Sequence, residues 1–308
     1  MTLPTGEQFV LETTTASGEL KATITAVAAG IRELTINGID LVPTFREDQT
    51  PPSGAGIVLV PWPSRIRDGK WVANGVTHQL DITEVPRNTA LHGLLRYTEY
   101  RMIAQESDSV TLTTKVYPRP GYPFLLDTAV HYELVADGLR VTHRIENDGA
   151  DSAPVAIGSH PYLKIGGVAT EDLILRVDAA SHITFDERLL PIAEVQVDGT
   201  EWDFRKGRRV GDLHLDDTWG ELPSHDGEVV SSLTAPDGRS VSMWAEPIFG
   251  YVQVYTSRDF PGESMAIAVE PMTAPAEAFN SGRGVRWLDP GEEWECSWGI
   301  RFAGFAAN

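Results

Sequence analysis

Residues 128–147 constrain the fold more than any other stretch, because they alternate apolar and polar side chains with period two on both sides of an Asp-Gly pair. Val130, Tyr132 and Leu134 share one face while His131 and Glu133 take the other, the pattern of a half-buried strand. Asp137-Gly138 predicts a hairpin turn, and the return run sets Leu139, Val141, His143 and Ile145 on one side. Asn74-Gly75, between Lys70-Trp71-Val72 and Val76-Thr77-His78, predicts a second hairpin. Pro236-Asp237-Gly238, before Val241-Ser242-Met243-Trp244, predicts a third. No amphipathic pattern of helical period persists beyond a couple of turns, which argues against βαβ units. The expectation is an all-β chain, a large antiparallel β-sandwich of many strands with long loops. No Ser/Gly-rich linker divides it, so residues 1–308 are read as a single domain.

Composition narrows the partners. A formal net charge of −19 disfavours nucleic acid and anionic lipid, both of which draw affinity from clustered Lys and Arg. Arg65-Ile66-Arg67 and the Arg205–Arg209 run are the local exceptions, and the second has acidic neighbours that make it a solvated face. Neither a G-x-x-x-x-G-K-S/T run nor a helix-opening G-x-G-x-x-G occurs, so no nucleotide cofactor is indicated. Met1–Gln8 lacks the basic and apolar regions of a secretory signal, and the expected location is the cytoplasm. Cys296 is the one cysteine, which leaves no internal disulfide and no multi-thiolate zinc site; it reads as a packed core thiol.

Glu270 ends the apolar run Met265-Ala266-Ile267-Ala268-Val269, just before Pro271. On a strand it shares a face with Ala266 and Ala268, small residues that leave room for a ligand beside a carboxylate. Of the eight histidines, His143 reads as a core residue, His78 and His131 as strand positions among polar neighbours, and His182, His214 and His225 as surface. His92 and His160 remain, each at a strand end beside a glycine-bearing loop, with Pro161 holding His160 extended and Gly158 permitting close approach. Two histidines and a glutamate could ligate a metal, but neither H-x-H nor H-E-x-x-H is present. No G-x-S-x-G elbow supports a serine hydrolase. A glycosidase using Glu270 with Asp216 stays open on residue types.

Several ordered segments together are more specific than any one of them. They are Pro61-Trp62-Pro63-Ser64-Arg65-Ile66-Arg67-Asp68-Gly69, Leu91-His92-Gly93-Leu94, Ser159-His160-Pro161-Tyr162-Leu163, Leu215-Asp216-Asp217, Val269-Glu270-Pro271-Met272, and the closing Pro290-Gly291-Glu292 with Trp298-Gly299-Ile300. Through them nearly the whole chain resembles the aldose 1-epimerase (mutarotase) family. The resemblance implies a galactose mutarotase-like supersandwich, no cofactor or metal, and a free aldohexose such as glucose or galactose as partner, handled by a monomer or homodimer. It implies Glu270 as general base, His160 as general acid, and Arg65, His92 and Asp216 as holders of sugar hydroxyls. Ser64 departs from the asparagine common before that arginine, and Asp217-Thr218-Trp219 departs at the pocket edge.

The chemistry suits these residue types. Exchange of anomers takes a proton from the O1 hydroxyl and gives one to the ring oxygen, then lets the open aldehyde rotate and reclose, which one carboxylate and one imidazole can serve. Mutual attraction is expected to raise the His160 pKa and lower that of Glu270. Trp62, Tyr162 and Trp219 are candidates for an aromatic platform under the sugar, with core packing the favoured alternative for each. Arg67 and Arg96 raise a hexose 6-phosphate as an alternative substrate. A non-catalytic sugar-binding or sensor protein on the same scaffold is the other alternative.

Overall fold

Alternating apolar positions do fold here as strands that pair antiparallel throughout. The computed structural model describes residues 3–305. Leu126–Val135 pairs with Gly138–Asn147, burying Val130, Tyr132, Leu134, Leu139, Val141, His143 and Ile145 as the period requires. The turn itself is Ala136-Asp137, one residue earlier than predicted, with Gly138 opening the return strand. Lys70–Ala73 pairs with Val76–Gln79 around Asn74 and Gly75, both at positive φ, the geometry a two-residue hairpin demands. Val229–Thr234 and Ser240–Ala245 form the third hairpin.

Two large sheets carry the architecture. One has nine strands, with Gly138–Asn147, Glu293–Ala303 and Ser240–Ala245 consecutive at its centre. The other has eight, and Ala266–Met272 lies between Tyr251–Ser257 on one side and the short strands Gly158–Ser159 and Tyr162–Leu163 on the other. A separate four-stranded sheet spans Gln8 to Asp40. Val141, Met243 and Ile300 of the first large sheet join Val252, Val254, Ile267 and Val269 of the second in one continuous apolar core. Among the described residues no helix is long and apolar enough to cross a membrane.

Ala266–Met272 is buried along its whole length, and its two faces differ as alternation dictates. Ile267 and Val269 face the main core, whereas Ala266 and Ala268 join a smaller cluster with Tyr162, Phe260, Phe45 and Ala55. Glu270 lies on this second face, and Gln253 stands opposite it in register. The two sheets are also tied by His143, whose Nε2 accepts the Trp298 indole N–H at 3.0 Å. Since that nitrogen is unprotonated, Ser159 in the other sheet donates its hydroxyl to it at 3.3 Å. The core reading of His143 therefore holds, and burial pushes its pKa down to about 3.

Candidate active site

Each of the five singled-out residues reaches one cavity of about 440 Å³ by a different route. Arg65 begins the strand Arg65–Arg67, which pairs with Thr89–Leu91 so that Arg65 lies opposite Leu91. His92 follows at once, with φ +61, and its backbone N–H donates to the Ser64 carbonyl at 2.9 Å. In return the Ser64 N–H donates to His92 Nδ1 at 3.2 Å, which leaves the proton on Nε2. Ser64 thus orients His92 through its backbone. Gly93 completes the turn at φ +71, where a Cβ would stand 2.1 Å from the Val60 carbonyl oxygen, so only glycine fits.

His160 leaves the end of Gly158–Ser159, and its main chain is fixed on both sides: His160 N–H donates to Ile57 O at 3.0 Å, and Gly56 N–H donates to His160 O at 2.8 Å. Gly158 permits the close approach expected of it, for a Cβ there would come within 2.8 Å of Pro63. Tyr162 stacks on the imidazole at 5.4 Å, and His92 meets it edge-on at 5.5 Å. So held, His160 Nε2 lies 3.3 Å from Glu270 Oε1. His160 Nδ1 and Glu270 Oε2 are both buried without a hydrogen-bond partner.

The charges beside this pair are tightly wired. Arg65 forms a two-pronged bond with Glu84, at 2.8 and 3.1 Å, and reaches Asp216 at 3.5 Å. Burial works against the guanidinium, yet Glu84 and Asp216 keep its pKa above the ordinary value. Gln253 donates to Asp216 Oδ1 at 2.7 Å and in turn accepts the Thr218 hydroxyl, which fixes its amide. Burial raises the Asp216 pKa, with Arg65 opposing.

The protonation of the central pair differs from expectation. Burial, then the Asp216 charge, raises Glu270 well above the carboxylate range, and Arg65 opposes this. Burial, then Arg96, lowers His160, to about 4. Desolvation of both groups outweighs their attraction, so the pair shares a single proton with both partners biased toward neutrality. His92 is likewise held well below its usual pKa by burial and by His160.

Of the two readings of the aromatic candidates core packing holds, and the surface reading of His182 is corrected. Trp62, Tyr162 and Trp219 are all buried in packing contacts and none lines the cavity; the aromatic side chains that do are Tyr255 and Tyr97. Tyr255 follows Tyr251 and Gln253 at period two on the strand beside Glu270, the one signal that could have found it. His182 is not a surface residue: it is 1% exposed, stacks on Trp202 at 4.0 Å, and its Nε2 lies 3.0 Å from Asp217. Glu84 and Gln253 were missed because nothing in the local sequence places them beside Arg65 and Asp216. Among the described residues no group of three or more His, Cys, Asp or Glu side chains is arranged to hold a metal ion.

Comparison with known proteins bears on the chain as a whole. The family model described as aldose 1-epimerase matches residues 11–301. The uncharacterized protein YihR of Escherichia coli K12 is 33% identical over 278 residues, covering 90% of this chain and 88% of that protein. The GalM/aldose epimerase homologue from C. elegans superposes with a TM-score of 0.83 at 20% identity, covering 96% of this chain and 99% of that one. Galactose 1-epimerase from Lactobacillus acidophilus NCFM superposes at 0.77 with 18% identity, covering 96% and 98%. At these identities the two solved structures speak for the fold alone, a galactose mutarotase-like arrangement of antiparallel sheets.

Proposed function

This chain belongs to the aldose 1-epimerase family, and on that premise we propose that it interconverts the α and β anomers of a free aldohexose such as glucose or galactose. The observation that carries the reading is the 3.3 Å separation of His160 Nε2 and Glu270 Oε1 inside the cavity. O1 and the ring oxygen are bonded to the same carbon, so groups that exchange protons with them must stand side by side. Glu270 takes the O1 proton while His160 gives its proton to the ring oxygen, and the bond from C1 to the ring oxygen breaks. The aldehyde rotates about C1–C2. The ring oxygen, now a hydroxyl, adds to the other face of C1 and returns its proton to His160, while Glu270 reprotonates O1.

Glu270 is assigned as base because Arg65 opposes the rise in its pKa, and because sugar hydroxyls at the unpartnered Oε2 would stabilise the carboxylate further. Bringing the sugar in thereby favours moving the shared proton onto His160. Arg65, His92 and Asp216 hold hydroxyls: Arg65 and His92 Nε2 donate, and Asp216 accepts. Glu270→Gln is expected to abolish turnover while leaving sugar affinity, by calorimetry, within about tenfold. Turnover near the wild-type rate would remove Glu270 from the mechanism.

One observation favours a second reading, an epimerase of hexose 6-phosphates. Arg96 lines the cavity, and its Nε and Nη1 are buried without hydrogen-bond partners, while Nη2 is taken by the Tyr97 hydroxyl at 2.6 Å. Arg67, the other arginine considered, lies near Glu277 and Asp186. Competition separates the readings: glucose 6-phosphate inhibiting glucose turnover at a concentration well below the glucose KM would favour the phosphosugar.

A further inference from the structure

The run from Glu270 to Glu277 carries more than the proposed base. At Thr273 the backbone N–H donates to the Ile157 carbonyl at 2.8 Å, and the side-chain oxygen accepts the Ile157 N–H at 2.9 Å. Ile157 lies three residues before His160. Glu277 repeats the pattern: its backbone N–H donates to the Arg65 carbonyl at 2.7 Å, and its Oε1 accepts the Arg67 N–H. In both cases a side-chain oxygen takes the place that a backbone carbonyl holds in a strand ladder. One short run therefore bonds to the segment that carries His160 and to the segment that carries Arg65.

Arg65–Arg67 is gripped from both edges. On one, Ser64 accepts the His92 N–H and Ile66 pairs with Ala90; on the other, Arg65 and Arg67 turn their peptide groups to Glu277. Glu277 precedes the short helix Ala278–Ser281, where a carboxylate ordinarily caps the first turn, yet its side chain makes no cap. It is largely buried instead, with Asn280 donating to Oε2 at 3.3 Å. Its backbone stands at φ +64, a left-handed conformation that residues other than glycine adopt at a cost. Glu277 does not line the cavity. Resting on the reading above, we propose that Glu277 is a positioning residue: by holding the peptide groups of Arg65 and Arg67 it aims the Arg65 guanidinium at Glu84, Asp216 and the sugar.

The test separates the acceptor from the backbone. Glu277→Gly deletes the acceptor and suits the left-handed conformation, whereas Glu277→Gln keeps an oxygen for the Arg67 N–H. Mutarotation of α-D-glucose and α-D-galactose is followed by polarimetry for each variant, in wild-type and Arg65→Lys backgrounds. Glu277→Gly is expected to lower kcat/KM at least about tenfold in the wild-type background and less than about twofold in the Arg65→Lys background, where the fork it aims is already lost. Glu277→Gln is expected to stay within about threefold of the wild type. Equal losses in both backgrounds, or Glu277→Gln falling as far as Glu277→Gly, overturn the proposal. Should circular dichroism show Glu277→Gly unfolded, Glu277→Asn takes its place, since asparagine also tolerates this backbone. Nuclear magnetic resonance reads the same placement without substrate. The Arg65 Nε–H, bonded to Glu84 at 2.8 Å, is expected to exchange with solvent at least about tenfold faster in Glu277→Gly than in Glu277→Gln, and equal rates overturn the proposal. If the wild type turns over no sugar the epimerase reading fails, and this exchange measurement still decides the role of Glu277.

Discussion

Glu270 and His160 each present a buried polar atom with no protein partner. Leaving such a group unsatisfied costs about 1–3 kcal/mol, a cost that a bound hydroxyl can relieve. On the proposed mechanism their shared proton sets the acid limit of activity. With His160 held at about 4 and Glu270 well above the usual carboxylate value, the pair gains its second proton as pH falls through about 4. No acceptor remains then. We expect kcat/KM to fall to half its plateau near pH 4, measured where circular dichroism shows the fold intact; a midpoint near 6.5 would mean that His160 is not buried in this way. His160→Asn should slow kcat at least about a hundredfold, the usual scale of a lost general acid, and near-normal rates would reassign that role. Glu84→Gln removes a charge partner from buried Arg65, so urea unfolding should show a loss of about 3 kcal/mol together with a raised KM. An unchanged KM would show that Glu84 does not position Arg65 for the sugar.

At the scale of elements, His143 and Ser159 tie the two large sheets one residue before His160. Protonating His143 would set two N–H donors against each other at Trp298. The folded pKa of about 3 lies below the ordinary 6.5, so the unfolded chain binds the extra proton first as pH falls. Stability from this residue is full above pH 6.5 and is lost on the way down to about pH 3, with a slope of up to about 1.4 kcal/mol per pH unit. His143→Gln keeps an acceptor for the indole and has no proton to gain. Its stability between pH 4 and 6 should therefore vary less steeply with pH than the wild type's, and an identical slope would show that His143 does not titrate on unfolding. This element was legible in the sequence because period two set Leu139, Val141, His143 and Ile145 on one side, and burial follows that alternation. Glu270 was legible for the same reason, as an acid on the small-residue face of an apolar strand. Glu84 and Gln253 were not, since their roles arise from Arg65–Leu91 and Gln253–Glu270 pairing across the fold. His182 was misread because its acidic neighbourhood suggests solvent, whereas Trp202 and Asp217 enclose it.

Across the whole molecule, segments from Arg65 to Glu270 converge on one cavity because antiparallel pairing brings distant strand ends together. The acidic surface implied by a net charge of −19 contrasts with Arg65, Arg87 and Arg96, the cationic groups that line the candidate cavity. On the proposed reading, recognition of a sugar there rests chiefly on buried Arg65, a charge that salt screens far less than surface charges. The central claim is that this cavity exchanges sugar anomers through one carboxylate and one imidazole. Polarimetry of freshly dissolved α-D-glucose and α-D-galactose tests it most directly, with wild-type protein, Glu270→Gln protein and no protein compared side by side. The account predicts that the wild type alone speeds the approach to the same final rotation; equal rates in all three samples for both sugars would contradict it.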